Sequence, residues 1–288
     1  MPSTSLTTPK NAVIHCISPS NQMRTAQRMA AVSDVRMSED MVRRALPNKE
    51  FLPFYQPKVC IDTHELVGVE VLARWKHPTL GLISPAQFLP VMERLGLLDE
   101  LFSQLLDQAL RQRLALLALD VEINLAFNVH PVQLQNADFT QCIQKSLSRQ
   151  GCPARAITIE LLETGLITPD GQCFKNLLQL RLMGCGLSMD DFGSGFSSLQ
   201  RLCELPFSEI KLDASFLRQI NSNHKTRTII ANTINLAKAM GIKLVIEGVE
   251  ELDQVRQLKE MGCSVAQGFF FARPMSAEQF VRYCLCGQ

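Results

Sequence analysis

The stretch Leu187–Ser198, LSMDDFGSGFSS, decides how the rest of the chain is interpreted. A short apolar run ends in two adjacent carboxylates, Asp190 and Asp191, and a glycine loop follows them. This order is typical of a buried parallel strand with charge at its carboxyl end, where β/α barrels place their chemistry. Adjacent carboxylates repel each other unless cations lie between them, and divalent metals with oxygen ligands meet that need. The alternative is an Asx-type turn, in which an aspartate caps the next helix.

The composition predicts an ordinary globular protein. The chain has 288 residues, of which 46% are hydrophobic and 20% are charged, which suits one large domain or two small ones. A net charge of +1 gives no reason to expect direct DNA binding. The ten cysteines form no paired CxxC zinc pattern, so we expect reduced thiols and a cytoplasmic protein. No apolar run approaches membrane-spanning length and the N-terminus lacks a signal-peptide core, so we expect no membrane association.

Two regions of different composition divide the chain. Residues 1–40 are rich in Ser, Thr and Met, and we predict a flexible N-terminal tail with a short helix at 22–32. This tail is either a plain leader or an arm that docks a partner. Residues 41–288 are predicted to form the functional domain.

Strands and helices alternate through this domain. The predicted strands are Phe51–Ile61, Glu65–Trp75, Glu122–Val129, Ala156–Leu161, Gly186–Asp190, Glu209–Leu212, Ile242–Ile246 and Ser264–Phe269. The predicted helices are Ser84–Leu95, Leu97–Leu119, the later part of 131–150, Gln172–Met183, Leu199–Glu204, Thr226–Met240, Leu252–Met261 and Ala277–Leu285. The pattern predicts an α/β fold, a TIM-type (β/α)8 barrel modified by an antiparallel first strand. An open doubly wound sheet is the alternative.

Each predicted strand after the first offers a polar residue that closes its apolar run. Carboxylate and amide oxygens dominate this set, which favours Mg²⁺ or Mn²⁺ over Zn²⁺. Each residue alone has an ordinary explanation, such as an exposed strand position or a local ion pair of Lys211 with Asp213. Together on successive strands they predict a site. The set is Glu70, Asn128, Glu160, Asp190, Asp191, Lys211, Glu247 and Gln267.

Seven stretches carry a resemblance to a known family. Glu70-Val71-Leu72, followed by Ala73 and Arg74, resembles the ExLxR frame of EAL domains, the bacterial cyclic di-GMP phosphodiesterases. The other six stretches are FNVHP at 127, IELLE at 159, MDDFGSG at 189, IKLD at 210, IEGVE at 246 and AQGFFFARPM at 266. The resemblance runs from about residue 42 to the C-terminus.

The resemblance implies a role for each matching residue. The first metal's ligands would be Glu70, Asn128, Glu160 and Asp190, and the second metal's would be Asp190, Asp191 and Glu247. The resemblance implies that Lys211 contacts the attacking water, that Glu163 holds the loop after the aspartate pair, and that Glu247 also belongs to the catalytic group. The residues where it implies substrate contacts are Gln56, Leu72, Arg74, Asp213, Glu250 and Gln267.

The resemblance also implies a function and its alternative. The expected reaction is hydrolysis of cyclic di-GMP to pGpG with two divalent cations, Mg²⁺ or Mn²⁺, in bacterial signalling and virulence regulation. We expect a homodimer that pairs through the loop after Asp191. The alternative is a catalytically silent EAL module that regulates by binding cyclic di-GMP or a protein. The chain departs from the family at Leu162, where threonine is usual, and at Val71, where alanine is usual.

Overall fold

A computed structural model describes residues 37–162, 171–193 and 198–286. Its strands are β1 (Phe51–Cys60), β2 (Leu66–His77), β3 (Gly81–Ile83), β4 (Leu125–Asn128), β5 (Ile157–Leu162), β6 (Gly186–Phe192), β7 (Glu209–Leu212), β8 (Lys243–Ile246) and β9 (Val265–Ala266). Its helices are α1 (Glu39–Ala45), α2 (Pro85–Arg94), α3 (Leu98–Leu117), α4 (Phe139–Arg149), α5 (Gln172–Met183), α6 (Ser198–Glu204), α7 (Ala214–Arg218), α8 (His224–Met240), α9 (Leu252–Glu260) and α10 (Ala277–Cys286). Short 3-10 turns cover Pro131–Gln135 and Ala154–Ala156.

The strands close into a barrel. β2, β4, β5, β6, β7, β8 and β9 pair in parallel in that order, and β1 pairs antiparallel with both β2 and β9. The short strand β3 lies outside this ring and pairs antiparallel with β2. The predicted TIM-type barrel with an antiparallel first strand is therefore confirmed, and the open sheet is excluded.

Side chains alternate between the outside and the inside of the barrel. On β5, Ile157, Ile159 and Leu161 belong to an apolar cluster packed beneath the helices. Thr158 and Glu160 alternate with them and are also buried. Because strand side chains point to opposite faces in turn, the apolar core lies between strands and helices, and the barrel interior is polar. This polar interior is the feature that positions the site.

The last strand is shorter than the sequence predicts. The prediction of Ser264–Phe269 is wrong, because regular pairing covers only Val265–Ala266. Beyond it, Gly268 lies so close to the backbone of Val249 that a Cβ atom there would come within 2.1 Å of the Val249 carbonyl oxygen. This close approach bends the chain out of the sheet directly after Gln267.

Part of the N-terminal prediction lies outside the described residues. The tail up to residue 36, with its predicted helix at 22–32, is among these. α1 begins at Glu39, where the Ser38 hydroxyl accepts a hydrogen bond from the Met41 amide. None of the described helices is long and apolar enough to cross a bilayer.

Candidate functional site

Lys211 lies at the centre of a carboxylate cluster. Its Nζ atom is 2.8 Å from Glu247 Oε1, 3.1 Å from Asp190 Oδ1, 3.1 Å from Glu160 Oε2 and 3.4 Å from Glu70 Oε2. The lysine side chain is 1% exposed. Burial alone would lower the pKa of Lys211, but Glu160, Glu70 and the other carboxylates outweigh burial and raise the pKa well above its ordinary value. Lys211 therefore stays charged, and it contacts the carboxylates rather than its neighbour Asp213.

Glu70 is held by two amides as well as by Lys211. Asn128 Nδ2 donates to Glu70 Oε1 at 2.6 Å, and Gln267 Nε2 donates to Oε2 at 2.7 Å. Burial favours the neutral acid, but Lys211 and Lys58 outweigh burial and lower the pKa of Glu70 to about 2. Glu70 is therefore an ionised carboxylate, held in one position, whose oxygens can bind a cation.

The aspartate pair leaves the strand on a bulge. The pairing of β6 with β7 shifts register between Met189 and Phe192. Within that bulge Asp191 has φ 56°, a left-handed conformation that is uncommon for a residue other than glycine, and its amide donates to Asp190 Oδ1 at 3.1 Å. The bulge turns the second carboxylate toward the same end of the barrel as the first. Burial, then Asp190 and Asp213, raise the pKa of Asp191 to about 6.

Glu247 completes the group directly after β8. The next residue, Gly248, has φ +73°, and a Cβ there would lie 2.4 Å from Ala214 Cβ, so this turn requires glycine. Oxygen atoms of Asp190, Asp191 and Glu247 lie within 4.8 Å of one another. Burial, followed by repulsion from Asp190 and Glu70, outweighs Lys211 and raises the pKa of Glu247 to about 8.

The donor set fits divalent cations. Four carboxylates contact the ammonium of Lys211, and a fifth, Asp191, lies beside Asp190 and Glu247, so the cluster carries more negative charge than this lysine can balance. Burial outweighs the two nearby lysines and raises the pKa of Glu160 to about 7, which is the response of an acid that lacks sufficient counter-charge. Buried carboxylate oxygens without histidine or cysteine are the ligands of Mg²⁺ and Mn²⁺. Asn128 can bind a cation only through its amide oxygen. The side-chain amide must therefore rotate by half a turn, so that its oxygen takes the place of the nitrogen beside Glu70, and this rotation preserves the shape of the side chain.

The predicted substrate residues have different environments. Gln56 is buried on β1, and its Nε2 donates to the Ala272 carbonyl at 3.5 Å. Arg74 donates to the Ala73 carbonyl at 2.8 Å and lies 5.7 Å from the centre of the Phe54 ring. Glu250 is exposed. Asp213 caps α7 by accepting a hydrogen bond from the Ser215 amide. Glu163 lies outside the described residues.

An apolar cavity adjoins the site at Asn128. Its volume is about 420 Å³, and Leu72 and Leu162 line it together with side chains of α2 and α3. Leu162 is 43% exposed. The departure from the family's usual threonine therefore places an apolar side chain on the wall of a cavity at the rim of the site.

Two charged residues of the barrel interior were missed by the sequence reasoning. Lys58 Nζ is 2.6 Å from Glu160 Oε1 and 2.8 Å from Glu209 Oε1. Lys58 lies on the first strand, which the search for polar residues left out, and Glu209 is the first residue of β7 rather than one at the end of its apolar run. The signal that could have found Lys58 is its spacing of two from Gln56, which places both side chains on one face of β1.

The EAL domain family profile matches residues 39–274. The chain belongs to the EAL domain family. The matched range contains every described site residue discussed above, so the carboxylate cluster is the polar end of an EAL barrel.

Relatives with curated names cover most of this EAL domain. Cyclic di-GMP phosphodiesterase RocR of Pseudomonas aeruginosa is 48% identical over 257 residues, which are 89% of this chain and 65% of RocR. The bifunctional diguanylate cyclase/cyclic di-GMP phosphodiesterase MucR of the same organism is 36% identical over 241 residues, which are 83% of this chain and 35% of MucR. The chain thus spans less than two thirds of the length of either relative. A solved structure of the PaMucR phosphodiesterase in complex with c-di-GMP superposes with a TM-score of 0.77 at 37% identity, covering 83% of this chain and 97% of that one.

Proposed function

We propose that this protein hydrolyses one phosphodiester bond of cyclic di-GMP to give linear pGpG. The observation that carries the proposal is the cluster of carboxylates around Lys211 in an EAL barrel. The names of RocR and of the PaMucR complex support the choice of substrate. In the reaction a water oxygen forms a bond to phosphorus, one P–O ester bond breaks, and the departing sugar oxygen takes up a proton.

Two divalent cations, Mg²⁺ or Mn²⁺, are part of this proposal. Glu70, Asn128, Glu160 and Asp190 would hold one, and Asp190, Asp191 and Glu247 the other. When bound, such ions lower the pKa of water and neutralise charge on phosphoryl oxygens. The geometric support is that oxygen atoms of Asp190, Asp191 and Glu247 lie within 4.8 Å of one another.

The chain's own residues orient the water and the substrate in this proposal. Lys211 carries three N–H donors and faces four carboxylate oxygens within 3.4 Å, so it would donate to a water or a phosphate oxygen in place of a carboxylate that has turned to a cation. Glu247, 2.8 Å from Lys211 Nζ, fixes the direction of that ammonium. Arg74 offers two parallel donors that suit a phosphate. We assign Gln56, Leu72, Asp213, Glu250 and Gln267 to substrate contact, and Glu163 to the loop after the aspartate pair.

The test is a hydrolysis assay on purified protein with cyclic di-GMP and Mg²⁺ or Mn²⁺, with pGpG quantified by chromatography. We expect Glu70→Ala and Asp190→Ala to abolish pGpG formation, because each removes an oxygen donor at the centre of the cluster. Asp62→Asn is the control, because Asp62 makes an exposed ion pair with Lys259. Full activity in chelator or in either alanine variant would refute the metal centre. Binding without hydrolysis by the wild type would support the silent regulatory module instead.

We further propose a cytoplasmic homodimer whose functional domain is residues 41–288. The nine cysteines among the described residues are all free, as a reducing compartment favours. Residues 194–197 of the loop predicted to pair lie outside the described residues, and shortly after them Leu199 is 59% exposed. Leu202 and Leu205 are buried in the barrel's outer layer, so Leu199 is what remains for a partner chain.

A further inference from the structure

We propose that Lys58 is a positioning residue that holds Glu160 in the orientation required of a metal ligand. The inference rests on the proposed function, because Glu160 is there assigned to the first cation. Lys58 and Glu160 lie on β1 and β5, and their side chains are 6% and 0% exposed. The 2.6 Å contact between Lys58 Nζ and Glu160 Oε1 therefore joins two strands inside the barrel, away from solvent.

The two oxygens of Glu160 face different lysines. Oε1 accepts from Lys58, and Oε2 lies 3.1 Å from Lys211 Nζ at the centre of the carboxylate cluster. The terminal torsion of a glutamate is broad, so a carboxylate held at one oxygen alone can rotate. Lys58 removes that freedom, because it fixes Oε1 and leaves Oε2 directed at the cluster.

The second partner of Lys58 explains why Lys58 does not supply Glu160 with a full counter-charge. Glu209 Oε1 lies 2.8 Å from Lys58 Nζ and belongs to a side chain that is 12% exposed. Lys58 and Glu209 together are neutral, so the charge of Lys58 is already balanced before Glu160 is counted. Lys58 thus supplies Glu160 with a strong directional hydrogen bond without neutralising it.

A purely structural pair would behave differently when both members are replaced. Exchanging a buried ion pair for neutral residues of similar size is often harmless to stability, whereas removing one partner leaves an unpaired buried charge. The double variant Lys58→Met/Glu209→Gln removes both charges together. It therefore separates support of the fold from support of Glu160.

The experiment measures Mn²⁺ binding by calorimetry without substrate, thermal unfolding in chelator, and kcat and KM at saturating Mn²⁺. For the double variant we expect an unfolding temperature close to that of the wild type and Mn²⁺ affinity lower by roughly 10- to 100-fold, the usual effect of losing a residue that orients a metal ligand. We expect kcat to fall at saturating Mn²⁺ while KM for cyclic di-GMP changes little, because the Lys58 side chain is only 6% exposed and its ammonium contacts Glu160 and Glu209.

Two controls isolate the contact. Glu209→Gln alone leaves Lys58 on Glu160, so its loss of Mn²⁺ affinity should be smaller than that of the double variant. Asp62→Asn/Lys259→Met removes an exposed pair of the same kind, and we expect wild-type Mn²⁺ binding from it. A second double variant, Lys58→Gln/Glu209→Gln, is measured in case Lys58→Met prevents folding, and the same weakening of Mn²⁺ binding is expected.

Three results would overturn the inference. The first is a wild-type Mn²⁺ affinity in the double variants. The second is a loss of Mn²⁺ affinity from Glu209→Gln alone that equals the loss in the double variants. The third is failure of both double variants to fold. A wild type that binds Mn²⁺ but does not hydrolyse cyclic di-GMP would refute the proposed function alone, since Mn²⁺ affinity is measured without substrate.

Discussion

Replacing Lys211 by methionine removes the only positive charge, among the described residues, that contacts four carboxylates at once. The side chain keeps its approximate length, so the change concerns charge rather than volume. Without Lys211, the carboxylates at 2.8–3.4 Å from its Nζ atom lose their shared counter-ion. Breaking a buried ion pair by removing one partner costs about 3–5 kcal/mol of unfolding free energy.

The four contacts of Lys211 do not add up to four such losses. One ammonium serves the whole cluster, and the acids have a second way to relieve repulsion, which is to take up protons. The pKa of Glu160 is already about 7 and that of Glu247 about 8 with Lys211 present. We therefore keep about 3–5 kcal/mol as the whole loss, equivalent to roughly 6–20 °C in unfolding temperature for a domain of this size.

The loss should depend on pH with a definite sign. The pKa values of Glu160 and Glu247 are raised in the folded protein, so the folded state holds protons that the unfolded state releases. Stability from such groups is fully present below their unfolded pKa and is lost as pH rises through about 7 and 8. In chelator the destabilisation by Lys211→Met should accordingly be larger at pH 8 than at pH 5.

The assay is thermal unfolding in chelator at pH 5 and pH 8, followed by the same measurement with Mg²⁺. Lys259→Met is the matched control, because Lys259 Nζ also lies 2.8 Å from a carboxylate oxygen but both side chains are more than half exposed. Such a surface pair contributes about 0–1 kcal/mol. Divalent cations should recover part of the Lys211→Met loss by binding the folded state. An unfolding temperature in chelator no lower than that of Lys259→Met would refute this account of the cluster.

The same substitution should also lower turnover. We expect Lys211→Met to reduce the rate of cyclic di-GMP hydrolysis by at least ~10²-fold, as is usual for positioning and proton-transfer groups.

Two further predictions concern the rim and the outside of the barrel. Leu162→Thr restores the hydroxyl usual in the family at the cavity wall, and we expect kcat to rise more than KM changes; an unchanged or lower kcat would show that the leucine is harmless. Sedimentation at tens of micromolar, roughly the range in which weak dimers form, should show a dimer that Leu199→Glu dissociates, and a purely monomeric wild type would contradict pairing.

The sequence predicted best the elements that are long enough to show a clear hydrophobic pattern or that end in a clear stop signal. Gln172–Met183 and Glu209–Leu212 match their predicted bounds, and Gly184, with φ 101°, ends the first of them in the left-handed conformation expected of a helix stop. Short elements such as β3 escaped prediction because three residues carry no periodic pattern. The end of the last strand depends on a tertiary contact between Gly268 and Val249, which no local pattern contains.

The sequence predicted most polar residues of the site but missed Lys58, on the antiparallel strand β1, and Glu209, the first residue of β7. Glu70, Asn128, Glu160, Asp190, Lys211 and Glu247 come together because parallel strands bring their carboxyl ends to one face. The partners of Lys211 were not predictable in detail, since its nearest acid in sequence, Asp213, caps α7 instead. Which of several acids a buried lysine meets depends on barrel geometry, and so does the contact of Lys58 with Glu160.

The side chains that drive folding and the side chains of the candidate site lie on opposite sides of the same strands. Apolar side chains of the same strands pack outward, as Ile157, Ile159 and Leu161 do on β5, and this outer layer supplies the burial that drives folding. The interior can therefore hold charges that would be intolerable in an apolar core, provided that each has a partner. Lys58 is satisfied entirely by protein acids, whereas Lys211 lies among more acids than it can balance. This difference explains the two proposed roles. Lys58 holds Glu160 in a fixed orientation, whereas Lys211 can exchange its partners when cations and substrate bind.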